Sequence, residues 1–138
     1  MSEESTTPDL VELGRRIHEA VNRRDFDLLK SVYAPDAVVE AEGLGTFGGR
    51  AAIRRFFEDM VGSFDQYVIE QEEFLDLGNG VGFEVARQSG RPLGSAGRIQ
   101  QRFASVTESA EGLIVRGTFY SDIDEARAAA ERLAEERG

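Results

Sequence analysis

Glu84 is the carboxylate in this 138-residue chain whose surroundings best suit acid–base chemistry. It lies in the segment 81–88 (VGFEVARQ), where the apolar residues Val81, Phe83 and Val85 occupy alternate positions. In a strand, this alternation places Glu84 on the opposite face from the three apolar side chains. If that face lines an apolar cavity, Glu84 can act as an acid or a base. If the face lies towards solvent, Glu84 is an ordinary surface residue, and the pattern leaves both alternatives open.

The residues that the sequence lacks restrict other kinds of chemistry. There is no Cys, which excludes disulfides and thiolate metal sites. The single histidine, His18, argues against a histidine-built zinc site, and its position in a helical segment predicts an exposed residue. We therefore expect no metal and no cofactor.

The charge and the hydropathy of the chain argue against nucleic acid and membranes as partners. Sixteen Lys and Arg stand against 26 Asp and Glu, a formal net charge of −10, which opposes binding to nucleic acid. The first nine residues (MSEESTTPD) are polar and acidic, and no apolar run approaches the roughly 18 residues of a membrane span. We expect a soluble, cytoplasmic protein with no membrane partner.

Arg87, Arg98 and Arg102 could recognise an anionic ligand, or they could be surface residues in salt bridges.

Apolar residues at three- to four-residue spacing predict helices in the N-terminal half. The first helix should begin at Thr7, Pro8 and Asp9, with Thr7 as its cap, and end near residues 22–24. A second should follow Asp25 and end before Pro35. The third follows residues 48–49, and its apolar stripe consists of Ile53, Phe56, Phe57, Met60, Val61 and Phe64.

The remaining segments predict strands and one more helix. A short strand is expected over 37–42, and period-two patterns predict strands over 67–76, 81–88, 98–107 and 113–121. Short connections between the last four imply antiparallel pairing. An Ala-rich helix over 123–137 has a thin apolar stripe and should dock lightly, starting at a capping box from Asp122 to Glu125. The fold class is α+β, with the helices on one face of a curved, mainly antiparallel sheet.

Residues 43–48 (GLGTFG) match the glycine pattern of a dinucleotide-binding loop between a strand and a helix. The strand before it carries Glu40 and Glu42, whereas a central parallel strand is a nearly continuous apolar run. An antiparallel meander follows, so no further βαβ unit completes a nucleotide site. We interpret the glycines as a tight corner into the helix.

Four segments carry a resemblance to a known family: 22–27 (NRRDFD), 33–40 (YAPDAVVE), 49–57 (GRAAIRRFF) and 111–122 (EGLIVRGTFYSD). Together they resemble the SnoaL-like group of the nuclear transport factor 2 fold, across nearly all of residues 9–133. The resemblance implies a cone-shaped cavity between three helices and the concave face of the sheet. We expect a tail over 1–8 that is disordered, the SnoaL-like domain over 9–122 and a C-terminal helix over 123–138.

The group includes ketosteroid isomerases, epoxide hydrolases, polyketide cyclases and non-catalytic binders, so the fold alone does not give the function. Where the isomerases carry a Tyr and two Asp, this chain has Ile17, Ala41 and Gln101. Where the epoxide hydrolases carry an Arg and two Asp, it has Ala86, Gln88 and Phe119. Both acid–base sets are therefore expected to be missing. Besides the candidate catalytic residue Glu84, the predicted substrate-binding residues are Ile17, Tyr33 near the mouth, Ala41, Phe56, Met60, Gln88, Gln101, Phe103 and Phe119.

Two functions follow as hypotheses. The first is a binding protein for a small apolar molecule, and the alternative is a cofactor-independent polyketide cyclase or isomerase acting on a small apolar ring compound. If Glu84 faces the cavity, Phe83 and Val85 need cover on the outer face of the sheet. A homodimer through that face would provide it, and the family resemblance implies the same pairing.

Overall fold

The structure is a computed structural model that describes residues 9–138. Its centre is one sheet of six strands, and their bounds are β1 (Tyr33–Ala41), β2 (Gly45–Gly48), β3 (Phe64–Asp76), β4 (Val81–Pro92), β5 (Ile99–Ala110) and β6 (Leu113–Tyr120). The strands lie in the order β2-β1-β6-β5-β4-β3, with β1 and β6 parallel and every other pair antiparallel. The predicted α+β class with a mixed edge is confirmed.

Helices cover both faces of the sheet. Their bounds are α1 (Leu10–Arg23), a 3-10 helix (Phe26–Ser31), α2 (Arg50–Gly62) and α3 (Ile123–Glu136). The cap of α1 is Asp9, whose side chain accepts a hydrogen bond from the Glu12 backbone N–H. The predicted roles of Thr7 and Pro8, and the predicted tail over 1–8, lie outside the described residues. No helix among residues 9–138 has both the length and the apolar composition needed to cross a membrane.

The predicted second helix is wrong in its type and its end. The segment after Asp25 forms a single short 3-10 helix, and Tyr33 already belongs to β1, where it pairs with Ile114 of β6. Pro35 lies between Tyr33 and Val38, where the register of β1 against β6 shifts. A proline has no N–H to donate to a ladder, so it is tolerated at such an irregularity.

The glycine segment forms a hairpin that the sequence did not predict. β2 pairs antiparallel with the end of β1, and Gly43 and Gly45 have φ angles of 79° and 120° in the turn between them. Gly49, with φ 88°, is the N-cap residue that precedes α2. The segment is therefore a corner, as interpreted, but it contains a strand of its own. Phe64, assigned to the helical stripe, instead starts β3 opposite Pro92.

A separate apolar core fills the outer face of the sheet. Phe83 and Val85 are 0% and 1% exposed, and they pack with Ala126, Ala130 and Ala134 of α3. Small alanine side chains let the helix approach the sheet closely, so α3 docks firmly and the prediction of light docking is wrong. The helices therefore lie on both faces rather than one. The apolar patch that motivated the homodimer is covered by the chain's own α3.

Candidate functional site

Glu84 points to the concave side of the sheet, the side that α1 covers. Its neighbours Phe83 and Val85 occupy the outer core, and only 11% of the Glu84 side chain is exposed. On the same side Ala86 belongs to the inner core. The structure therefore selects the inward alternative for Glu84.

His18 lies against Glu84, so the prediction that it is exposed is wrong. Its Nε2 atom is 2.7 Å from Glu84 Oε2, and 12% of its side chain is exposed. α1 can approach β3 here because Gly14, one turn earlier, has no side chain: a Cβ at that position would lie 3.1 Å from Phe74 Cε2. Gly14, His18 and Val21 share one helical face. That spacing is the sequence signal that could have placed His18 inside.

Two further side chains hold the Glu84 carboxylate. Gln71 Nε2 donates to Glu84 Oε2 over 2.9 Å, and Ser105 Oγ donates to Oε1 over 3.4 Å. Each oxygen of Glu84 accepts a hydrogen bond, as expected of an ionised carboxylate, which has no proton to donate. We therefore assign the proton in the short contact to His18 Nε2. The sequence did not point to Gln71 or Ser105, since the strand register that brings them to Glu84 depends on the fold.

Tyr33 and Thr107 complete the polar groups around the pair. Tyr33 was predicted near the mouth of the cavity, but it is 2% exposed and lines the inner part. Burial, with a contribution from the Glu84 carboxylate, raises the pKa of Tyr33 well above its usual range. Thr107 Oγ1 is buried and has no hydrogen-bond partner among the described residues.

The cavity around the pair, which we call the inner cavity, is small. Its free volume is about 30 Å³, enough for one or two water molecules but not for a ring compound. Its wall is otherwise mainly apolar and aromatic. Of the predicted residues, Ile17, Tyr33, Met60, Glu84, Phe103 and Phe119 line it.

A second space, the mouth pocket, adjoins the inner cavity and opens to solvent. Its free volume is about 160 Å³. The predicted residues that line it are Ala41, Phe56, Met60, Gln88, Gln101, Phe103 and Phe119. Met60, Phe103 and Phe119 line both spaces, so these three side chains form the partition between them. Every predicted site residue thus lies on one of the two spaces, while their binding roles stay predictions.

A chain of hydrogen bonds leads from the core to the mouth pocket. Tyr67 OH lies 2.6 Å from Gln88 Oε1, and Gln88 Nε2 donates to Gln101 Oε1 over 3.0 Å. Tyr67 is 1% exposed, whereas Gln101 is exposed. The oxygen of Gln101 accepts from Gln88, and its NH₂ group, which has no acceptor among the described residues, is available to a ligand in the mouth pocket.

The three arginines considered for an anionic ligand all have partners within the chain. Arg87 and Arg102 both pair with Glu72, and together they hold the pKa of that carboxyl below its usual range. Arg98 donates to the side chain of Gln66. Within residues 9–138, no group of three or more His, Asp or Glu is placed to hold a metal ion.

Comparison with known proteins places the chain in a family. Residues 14–117 match the family model described as the SnoaL-like domain. The crystal structure of a proposed polyketide cyclase from Sinorhizobium meliloti is 29% identical, with a TM-score of 0.66 over 78% of this chain and 92% of that one. A search of proteins of curated function found no match.

Two more distant solved structures share the fold. A hypothetical protein with a ketosteroid isomerase-like fold from Catenulispora acidiphila, in complex with trimethylamine, is 16% identical, with a TM-score of 0.74 over 91% of this chain and 94% of that one. An LEH-like epoxide hydrolase of M. tuberculosis is 17% identical, with a TM-score of 0.66 over 87% of each chain. At these identities the likeness is one of fold.

Proposed function

The chain belongs to the SnoaL-like domain family, and we propose that it is a cofactor-free enzyme that moves a proton on a small, mainly apolar ring compound. The observation that carries this proposal is the contact of 2.7 Å between His18 Nε2 and Glu84 Oε2 in a cavity whose other walls are mainly apolar. Histidine and carboxylate side chains are the usual general acids and bases of enzymes. The pair can transfer a proton without the acid–base residues of the ketosteroid isomerases or of the epoxide hydrolases.

A buried pair of this kind adds little to the stability of a fold, so its presence suggests another role. Removing an imidazole and a carboxylate from water carries a desolvation penalty that their attraction does not always offset, and an apolar pair of similar volume is often at least as stable. A histidine and a carboxylate in contact inside a cavity are therefore candidates for a functional site. Here the pair also faces Tyr33, whose neutral hydroxyl can donate to a developing oxyanion.

The mouth pocket suits the body of the ligand. Its volume of about 160 Å³ is close to that of an apolar cavity of about 150 Å³ that binds benzene. The free NH₂ group of Gln101 can donate to an oxygen on the ring, which favours a ketone or quinone over a pure hydrocarbon.

Contact between the ligand and the pair requires the partition to move. Met60 has three rotatable side-chain bonds, and its sulfur lies 3.8 Å from Tyr67 OH. Rotation of Met60 would join the mouth pocket to the inner cavity. The Glu84 carboxylate would then take a proton from the carbon next to a ring carbonyl. It would return that proton to another carbon of the enolate, which is an isomerisation. Alternatively, the enolate carbon would attack a second carbonyl of the ligand and close a ring, and the proton would go to the alkoxide formed there.

The second candidate is a binding protein without catalysis. It is favoured by the hydrogen bonds from Gln71 and Ser105, which satisfy Glu84 within the chain and could make the pair purely structural. In this case the mouth pocket holds its ligand and the pair fixes α1 on the sheet. The crystallised complex of the Catenulispora protein with trimethylamine shows that one neighbour of this fold takes a small ligand.

Proton exchange measured by NMR separates the two candidates. One- and two-ring ketones such as 2-tetralone are incubated with the protein in D₂O, and the loss of the proton next to the carbonyl is followed. We expect Glu84→Gln to lower the exchange rate by about 100-fold or more. Glu73→Gln is the matched control, since Glu73 pairs with Arg127 outside the cavity, and it should exchange at the wild-type rate.

Two outcomes would overturn the enzyme proposal. One is that the wild type accelerates exchange in none of the ketones. The other is that Glu84→Gln exchanges as fast as the wild type, and in that case ketone binding seen as chemical-shift changes at Gln88 and Gln101 would support the binding protein instead.

The homodimer and the cytoplasmic location stay proposals. The buried outer core no longer argues for the dimer, which leaves the family resemblance as its support. Light scattering decides it, because a monomer has a mass of 15.2 kDa and a dimer twice that.

A further inference from the structure

A third cavity, separate from the proposed reaction site, lies between the 3-10 helix and the start of α2. Its free volume is about 380 Å³, which is within the usual range for small-ligand pockets. We call it the Lys30 cleft. Its apolar wall consists of Phe26, Leu29, Tyr33 and Ile53. Phe26 is the most open of these four, since Leu29, Tyr33 and Ile53 are 4%, 2% and 1% exposed. The cleft itself is larger than the mouth pocket.

The charged residues of the Lys30 cleft are all cations. Lys30, Arg50 and Arg54 line it, and no carboxylate does so among the described residues. This local excess is unusual in a chain with a formal charge of −10. A cavity with an apolar wall and cations at its edge is complementary to an amphiphilic anion.

Two of these three cations have charge available for a ligand. Arg54 is engaged by Asp27 and Glu58. Lys30, the only lysine in the sequence, is exposed and makes no salt bridge with the described residues. Its charge acts on the nearby Asp27 carboxylate, but the contact of Asp27 is with Arg54. Arg50 donates its Nε–H to the Tyr33 carbonyl over 2.9 Å, and its two terminal nitrogens make no hydrogen bond with residues 9–138.

We propose that the Lys30 cleft binds a small carboxylate with an apolar body, its charge between Lys30 and Arg50 and its apolar part against Phe26, Leu29 and Ile53. Arg50 is preorganised for this role because its Nε–H anchors the guanidinium on the backbone of β1. A neutral molecule of the same shape would leave both cations without a partner. The site does not use His18 or Glu84. It shares Tyr33 with the inner cavity, but in the cleft Tyr33 is only a wall residue.

An NMR titration with octanoate tests the site on the full chain. We expect saturable shifts of backbone amides within residues 26–33 and 50–54. Octan-1-ol has the same apolar body without the charge and should bind roughly tenfold more weakly, since a hydrogen bond to a charged group contributes about that factor.

Variants assign the contact to one side chain. Lys30→Gln should weaken octanoate roughly tenfold, and Lys30→Arg should restore most of the affinity. Arg55→Gln is the matched control: it removes one positive charge from α2 at an exposed residue that does not line the cleft, and it should change the affinity by less than about twofold. Glu84→Gln should leave octanoate binding unchanged, which separates this test from that of the reaction.

Three results would overturn the proposal. The shifts could map to the mouth pocket or to no site. Octan-1-ol could bind as tightly as octanoate, which would mean that the charge is not recognised. Lys30→Gln and Arg55→Gln could weaken binding equally, which would indicate general electrostatic attraction rather than a site.

Discussion

Replacing His18 with leucine should destabilise the protein more than replacing any exposed charged residue of α1. The change leaves the Glu84 carboxylate, 11% exposed, without its partner at 2.7 Å. Breaking a buried pair in this way typically costs 3–5 kcal/mol. The hydrogen bonds from Gln71 and Ser105 remain, so we expect the lower end, about 3 kcal/mol.

The double variant shows whether the two groups act together. Glu84→Leu alone leaves a buried imidazole with one partner fewer, a loss of about 1–3 kcal/mol. With both residues changed to leucine, no charge is left unpaired, and the exposed Gln71 amide can turn to water. The double variant should then lie within about 1 kcal/mol of the wild type, which makes the coupling free energy at least about 3 kcal/mol.

Urea unfolding followed by circular dichroism measures these differences, because the chain has no tryptophan for fluorescence. The control is Arg15→Leu on the same helix, which removes an exposed, solvent-screened pair with Glu12 and should lower the stability far less than His18→Leu does. If His18→Leu costs no more than Arg15→Leu, or if the two single changes add up to the double, the pair is not buried and coupled as the structure has it.

Three further predictions concern the surrounding fold. Gly82→Ala should destabilise by about 1–3 kcal/mol in urea unfolding, because its Cβ would lie 2.8 Å from Thr107 Oγ1. Phe83→Ala should cost about 3–5 kcal/mol, measured in the same way, since Phe83 is fully buried under α3. Burial raises the pKa of Tyr33 and Tyr67 above the unfolded value of about 10. Their contribution to stability is therefore complete below pH 10 and lost as the pH rises further; absorbance at 295 nm should show these two tyrosinates forming only as the chain unfolds.

The strand patterns gave most of the sheet correctly because each strand has one apolar face. The alternation around Glu84 placed Phe83 and Val85 on one face of the strand and Glu84 on the other. Only the fold could show which of the two faces lies towards the cavity. α3 was underestimated because an alanine stripe has a weak apolar signal, although small side chains allow close packing. β2 was missed because a glycine-rich hairpin edge carries almost no side-chain pattern.

The site was harder to predict because its residues come from separate elements. Glu84, on β4, was found from its own strand, whereas its partners lie on α1, β3 and β5. His18 looked like an exposed residue because polar residues surround it in sequence. Its inward position depends on Gly14, whose missing side chain brings α1 close to Phe74, and a glycine within a helix does not by itself indicate a close contact.

The nitrogen-bound proton of His18 tests the central claim most directly, since the chain has one histidine and its imidazole signals need no assignment. We predict that the wild type shows an Hε2 proton in slow exchange with water at pH 7, because Nε2–H is held by Glu84 and largely shielded from solvent. In Glu84→Leu this signal should weaken or disappear through exchange. An Hε2 proton that is undetectable in the wild type, with ring shifts unchanged by Glu84→Leu, would contradict the pair on which the proposed reaction rests.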